Sequence, residues 1–280
     1  MESARLRRQL LTHFPFLYKV RVAQLTLKRH LLNTLSFTKF AKQRSEEALP
    51  YTCKKHQSLL RRKLGSTDPV LQENKITNLR LSLRHIDGIV IRPGETFSFW
   101  KTVGKTTAAK GYIEGLLLSN GDVKTGIGGG ICQLANLLFW LALHTPLTIK
   151  ERHHHSFDPF PDDQRALPFG SGASVFYNYI DLRFHNQTDQ AIQFKVWLTN
   201  DHLKGSVHIA EEWPYSYHVF EKNHAFLRVG GKNYRQNEIW RDVIDKKTGN
   251  TIQQERLIDN YSEVRYELPT TDLHSCDLST

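Results

Sequence analysis

Residue types that can do chemistry gather between positions 126 and 183. The run Gly126-Ile127-Gly128-Gly129-Gly130-Ile131-Cys132-Gln133 puts a thiol where a glycine-rich stretch meets an apolar one, 134–143. Glycine destabilises helix and strand interiors, whereas 131–143 is nearly all helix formers or bulky apolar residues. Cys132 is therefore expected in the first turn of a buried helix. Unpaired backbone N–H groups and the positive end of the helix dipole favour a thiolate there. Gly128, Gly129 and Gly130 let a backbone approach a ligand and expose N–H groups that could form an oxyanion hole. Gln133 adds an amide donor next to the sulfur. The plainer alternative is a tight turn before a core helix that carries a buried, inert cysteine. A phosphate-binding loop fits less well, because the glycine run lacks the Gly-Lys-Ser/Thr ending.

A cysteine nucleophile needs a base, and usually a group that orients the base. His153, His154 and His155 follow a strand-like stretch shortly after the apolar segment. In an extended strand end His153 and His155 point to one side and His154 to the other, which makes His155 or His153 the candidate base. The same two histidines with Cys132 could instead hold Zn²⁺, as in some hydrolases. No obvious further ligand is nearby in sequence, so the thiol–imidazole pair ranks first, and no metal or other cofactor is expected. Asp181, in Tyr179-Ile180-Asp181-Leu182-Arg183-Phe184, is acidic inside an apolar strand and needs a partner. It either orients a histidine or makes a structural hydrogen bond to a loop. Arg152 and Arg183 could bind a substrate carboxylate through their planar guanidinium groups.

The elements that must position these groups follow from periodicity and turn residues. Residues 2–44 are basic and apolar in a helical rhythm, divided at Pro15. They predict helices packed on the main domain or, alternatively, an amphipathic helix on an anionic membrane surface through residues 2–35. A linker is expected over 45–72. A helix at 73–85 precedes short strands, and Asn120-Gly121 signals a hairpin that returns into the glycine run. A strand at 148–152 leads into the histidines, a polar loop covers 156–172, and strands dominate from 173 on. The fold class expected is α+β: a mixed domain around the glycine turn, Cys132 and its helix, with an N-terminal helical extension and a β-rich C-terminal part. The divisions expected are 1–70, 71–200 and 201–280.

Composition narrows the partners. The 280 residues carry a formal net charge of +10, which suits anionic partners. No helix-turn-helix, zinc finger or aromatic RNA-binding motif supports nucleic acid, so none is expected. Cys53, Cys132 and Cys276 are far apart and form no Cys-x-x-Cys pair, which argues against a zinc ribbon or a disulfide framework. Neither a bilayer-spanning apolar run nor a signal peptide is evident. The expectation is a cytoplasmic protein, peripheral to the inner face of the membrane if the basic helices bind lipid.

Several co-linear motifs carry a resemblance. Ile91-Arg92-Pro93-Gly94-Glu95-Thr96-Phe97-Ser98-Phe99-Trp100 is similar to the signature of the VanW family, first linked to glycopeptide (vancomycin) resistance clusters. So are Leu118-Ser119-Asn120-Gly121, the run from Gly128 through Cys132 to Trp140, His144-Thr145-Pro146-Leu147-Thr148-Ile149, and the strand around Ile180-Asp181-Leu182. The resemblance implies a role in bacterial peptidoglycan metabolism and a transferase activity like that of L,D-transpeptidases. Cys132 would then attack a stem-peptide carbonyl, with His155 or His153 as base, D-alanine leaving and a second stem's amine resolving the thioester. Where many family members carry a Gly-Arg-Asp-Ala-Thr-like run, this chain has Gly170-Ser171-Gly172-Ala173-Ser174 and lacks the acidic residue. The alternative is a non-catalytic module that binds cell-wall precursors or a partner protein. A reachable Cys132 with an imidazole in hydrogen-bond range separates the first reading from the second.

Overall fold

The computed structural model describes residues 15–61, 68–119, 122–154, 157–158, 161, 167–268 and 273–274. The fold is α+β, with a helix at the N-terminal side and a strand-rich C-terminal part. In chain order the elements are α1 (Pro15–Leu35), β1 (Tyr51–Leu59), α2 (Val70–Ile86), β2 (Ile89–Ile91), β3 (Thr96–Ser98), α3 (Phe99–Val103), β4 (Glu114–Ser119), β5 (Asp122–Ile127) and α4 (Cys132–Leu143). There follow β6 (Thr148–Glu151), β7 (Phe157–Asp158), β8 (Arg183–His185), β9 (Ile192–Leu198), β10 (His202–Ile209), β11 (Tyr215–Val229), β12 (Lys232–Asp245), β13 (Thr251–Val264) and β14 (Leu273–His274).

The helix α4 forms the centre. It is apolar around most of its circumference, and such helices are stable only when surrounded. Leu134, Ala135 and every residue over 137–143 are buried. One side of α4 lies on β1 and β10, which belong to an antiparallel sheet ordered β1-β10-β9-β2. The C-terminal sheet, β14-β11-β12-β13-β7, anchors the helix's end. Arg241 of β12 donates to the carbonyls of Leu143 and Thr145 at 3.0 and 2.8 Å and pairs with Glu255 of β13 at 2.7 Å. These contacts satisfy carbonyls that a helix C-terminus leaves open.

A three-stranded sheet, β3-β8-β6, carries the polar residues that matter most below. Ser98 of β3 stands opposite Arg183 of β8, which stands opposite Glu151 of β6. Strand register thus brings together groups far apart in the chain.

Three expectations are corrected. The stretch 45–72, read as a linker, contains β1, a nine-residue strand paired with β10. Its Lys54, Lys55 and His56 hide the strand pattern because β1 is an edge strand, where charged side chains are tolerated and discourage further pairing. The stretches 215–221 and 225–229, which the sequence pattern reads as two strands, form the single strand β11, and 251–258 and 263–268, read likewise, are joined in β13, which ends at Val264. A register shift between Lys222 and Ala225 interrupts the alternation in β11, and Asn223 there has φ 53°, as at a bulge. Finally, Val175–Tyr177 is not a strand: Phe176 and Ile180 form an isolated bridge around a turn.

Other expectations hold. β4 and β5 form the hairpin, with Ser119 opposite Asp122; the turn residues Asn120 and Gly121 lie outside the described residues. Among the described residues no helix is long and apolar enough to cross a membrane.

Candidate functional site

The glycine run forms the turn expected of it. Gly128 and Gly130 have φ of 80° and 89°, a region that L side chains rarely adopt. Gly129 serves a different end. A Cβ placed on it would lie 2.1 Å from the Gly115 carbonyl carbon, and one on Gly115 would lie 2.5 Å from the Gly129 oxygen. Two backbones cross there in direct contact, at the base of the β4–β5 hairpin. Asn78 of α2, fully buried, clamps the crossing: its amide donates to the carbonyls of Ile113 at 3.0 Å and Gly129 at 2.9 Å, and its oxygen accepts from Ile113 N–H at 3.0 Å. The N–H groups of Gly128 and Gly129 are used as well, donating to the carbonyls of Ile113 and Gly126 at 3.0 Å each. The expected oxyanion donors are therefore committed to backbone bonds at these two positions.

Cys132 is the first residue of α4, as expected. The residue keeps some surface, yet its thiol is desolvated against the core and lies 3.8 Å from the Val175 carbonyl, to which it donates. Burial pushes this thiol up from its ordinary range, and the residue's own backbone N–H offsets that only in part. Cys53 is likewise pushed up by burial, to about 11. Cys276 lies outside the described residues. Desolvation thus works against the helix start, which by itself favours a thiolate.

Two of the expected partners of Cys132, Gln133 and His153, bond elsewhere. Gln133 does not face the sulfur: its amide donates to Ser58 Oγ at 2.9 Å and the Leu59 carbonyl at 2.8 Å, tying α4 to β1. His153 bonds through Nε2 to Glu151 at 3.0 Å. Its backbone carbonyl accepts from Ser174 N–H at 2.8 Å. His155 lies outside the described residues. No imidazole among the described residues hydrogen-bonds to the thiol. Nor, among the described residues, do three or more His, Cys, Asp and Glu side chains converge as a ligand set for the zinc alternative.

Asp181 does not orient a histidine among the described residues. It is fully buried and accepts four bonds: from Ser98 Oγ at 2.6 Å, Arg183 Nε at 2.8 Å, Leu182 N–H at 2.9 Å and Trp100 N–H at 3.1 Å. It therefore ties the start of α3 to β8 and fulfils the structural alternative. Beside it, Glu151 receives both guanidinium nitrogens of Arg29 at 2.7 Å and the Asp181 N–H at 3.1 Å. Burial opposes ionisation of Glu151, but the bonds from His153, Arg29 and Asp181 prevail and hold its carboxyl below the ordinary glutamate range. Glu151 and Arg29 were not singled out in the sequence. Their separation of 122 positions leaves no local signal, and only the register with Arg183 unites them.

The two arginines named for a carboxylate differ. Arg183 is fully engaged, pairing with Asp181 and donating to Asn33 Oδ1 at 2.8 Å. Arg152 has no carboxylate within ion-pairing distance among the described residues. It donates to the carbonyls of Gly170 and Gly172 and lies 5.3 Å above the Phe139 ring. Burial draws its pKa down to about 10, so it stays charged at neutral pH. Arg152 lines an open cleft with Phe139, Leu143, Ile149, Leu257, Ile258 and Asp259, where α4 and β6 meet β13. The segment that Arg152 holds runs back along α4, with Ala173 N–H donating to Asn136 at 2.7 Å and Val175 covering Cys132.

Comparison with known proteins agrees with the motifs. A family model described as "VanW like protein" matches residues 74–208. The chain is 33% identical over 263 residues to the Vancomycin B-type resistance protein VanW of Enterococcus faecalis (strain ATCC 700802 / V583), covering 94% of this chain and 96% of that protein. It is 37% identical over 118 residues to the uncharacterized protein YoaR of Bacillus subtilis (strain 168), covering 41% of this chain and 36% of that one. No solved structure matches significantly.

Proposed function

The chain belongs to the VanW family, and on that premise we propose that it acts in bacterial cell-wall metabolism as a non-catalytic module that binds carboxylate-bearing peptidoglycan stem peptides. The observation that carries this reading is Arg152, a partly desolvated cation in a mostly apolar open cleft, with no carboxylate within ion-pairing distance among the described residues; the one acidic residue of the lining, Asp259, pairs with Arg256 instead. A guanidinium partly withdrawn from water and bonded only to neutral carbonyls lacks a counter-charge, and an arriving carboxylate supplies it through one or two charge-assisted hydrogen bonds. Phe139, Ile149 and Leu257 offer apolar surface to the flanking side chains of a ligand. The name of the Enterococcus relative, which ties that protein to vancomycin resistance, supports a cell-wall role for this chain. The cysteine-dependent transfer implied by the family resemblance finds less support, because the thiol is buried and its first contact is a backbone carbonyl.

The test is titration calorimetry of the full chain with tetrapeptide and pentapeptide stems, as free acids and as C-terminal amides. Loss of a buried charge-assisted pair is worth about 2–3 kcal/mol, or roughly 30- to 150-fold in affinity. The amide should bind that much more weakly than the acid, and Arg152→Met should abolish the difference. Equal affinity for acid and amide, or no binding of either, would overturn the proposal. The amide comparison leaves the protein unaltered, so it holds even if Arg152→Met loosens the segment around Gly170 and Gly172.

A further inference from the structure

The helix α1 is amphipathic the wrong way round for a helix packed on a domain. At about 100° per residue, Phe16, Val20, Leu27 and Leu31 fall within roughly 60° of one another, and Leu17 and Leu35 widen the stripe to about 100°. All six are exposed, Phe16 at 74%, Leu27 at 61% and Leu35 at 74%. The opposite face, with Tyr18, Val22, Leu25, Thr26, Arg29 and Asn33, is the one turned toward the protein. Two polar anchors hold that orientation, Arg29 on Glu151 and Asn33 on Arg183. The apolar stripe is thus aimed outward by ion pairing and hydrogen bonding.

Charge completes the pattern. Lys19 lies on one flank of the stripe and Arg21 and Lys28 on the other, all exposed. No Asp or Glu occurs between Ala4 and Arg44. We infer that α1 is a membrane-surface helix, which lies in the interface of an anionic phospholipid bilayer with its leucine stripe in the acyl boundary and its lysines and arginine at the headgroups. Long basic side chains that flank an apolar stripe reach back to the headgroup level while their stems stay in apolar contact. A second copy of the chain fits the same face poorly, because self-pairing would bring Lys19, Arg21 and Lys28 of both copies together. Anionic lipid supplies the complementary charge.

The experiment is co-sedimentation of the full chain with vesicles of phosphatidylglycerol and phosphatidylcholine, and with phosphatidylcholine alone. Binding is expected only to the anionic vesicles, weakened by added salt. Leu27→Glu/Leu31→Glu should bind at least about tenfold more weakly, with an unchanged melting temperature because both side chains are already exposed. Should that variant fail to fold, Lys19→Gln/Lys28→Gln replaces it, with the same loss expected. No binding by the natural chain, equal binding by a folded variant, or self-association abolished by Leu27→Glu/Leu31→Glu without any vesicle binding would each overturn the inference.

Discussion

Asp181→Ala should lower the unfolding free energy by about 3–5 kcal/mol, the usual scale for removing one partner of a buried, hydrogen-bonded ion pair. The change strands four groups at once. Arg183 loses its 2.8 Å partner, and the Ser98 hydroxyl and the Trp100 and Leu182 N–H groups lose their acceptor in a site with no exposure. At about 2–4 °C per kcal/mol for a chain of this size, the melting temperature should drop by roughly 10 °C. Thermal and urea unfolding measure it. An Asp181→Ala variant as stable as the natural chain would show that the four bonds contribute little and would reopen a role for Asp181 in orienting a ligand or base.

The second large effect is expected at Gly129. An alanine there must place its methyl group 2.1 Å from the Gly115 carbonyl, against backbone on both strands of the crossing. Neither side can yield by rotating a side chain, so the hairpin base must separate from the turn, and Asn78 must release bonds to one or both. A loss of at least about 3 kcal/mol follows, at the upper end of overpacking effects. Gly94→Ala is the natural comparison. Gly94 has positive φ but no atom within 4 Å of its Cβ position, so only backbone strain of about 1 kcal/mol applies. Urea unfolding of the two variants should separate them by about 2 kcal/mol. Equal losses would mean that the glycine run serves conformation alone and that the close crossing is not what holds the turn.

These two residues show what the amino-acid order reveals and what it does not. The glycine turn and α4 are readable because both signals are local: four glycines in five positions, then a run of apolar residues interrupted only by Gln133 and Asn136. The β4–β5 hairpin was equally local. β1 was not, because Lys54, Lys55 and His56 at a sheet edge look like a solvated loop until β10 is placed beside them. The site was harder still. Cys132 was placed correctly at a helix start, yet its chemistry depends on what covers it, and Val175 lies 43 positions away. Asp181 announced its need for a partner, but the identity of that partner depended on β3 and β8 pairing so that Ser98 meets Arg183. Local sequence reports which groups must be satisfied; sheet register decides by whom.

The loop from Phe169 to Val175 is held on two sides. It is pinned from one side by Arg152 and Asn136 and from the other by the C-terminal sheet, where Asn237 and Asn260 both donate to the Phe169 carbonyl, at 2.8 and 3.3 Å. Those bonds hold the Val175 carbonyl against Cys132 and fix the Gly170 and Gly172 carbonyls that Arg152 binds. Cover of the thiol and placement of the Arg152 guanidinium are therefore two consequences of one segment's placement.

Intact-mass spectrometry of the natural chain and of Cys132→Ala, after incubation with tetrapeptide and pentapeptide stems and alongside binding measurements, tests the central claim most directly. A binding module built on Arg152 predicts no acyl adduct and no released D-alanine. It also predicts stem affinity in Cys132→Ala within about twofold of the natural chain, since the substitution removes a buried sulfur at a cost of about 1 kcal/mol to stability and touches no part of the cleft. A mass gain on Cys132 with release of D-alanine, absent in Cys132→Ala, would contradict the account and restore the thiol as a nucleophile.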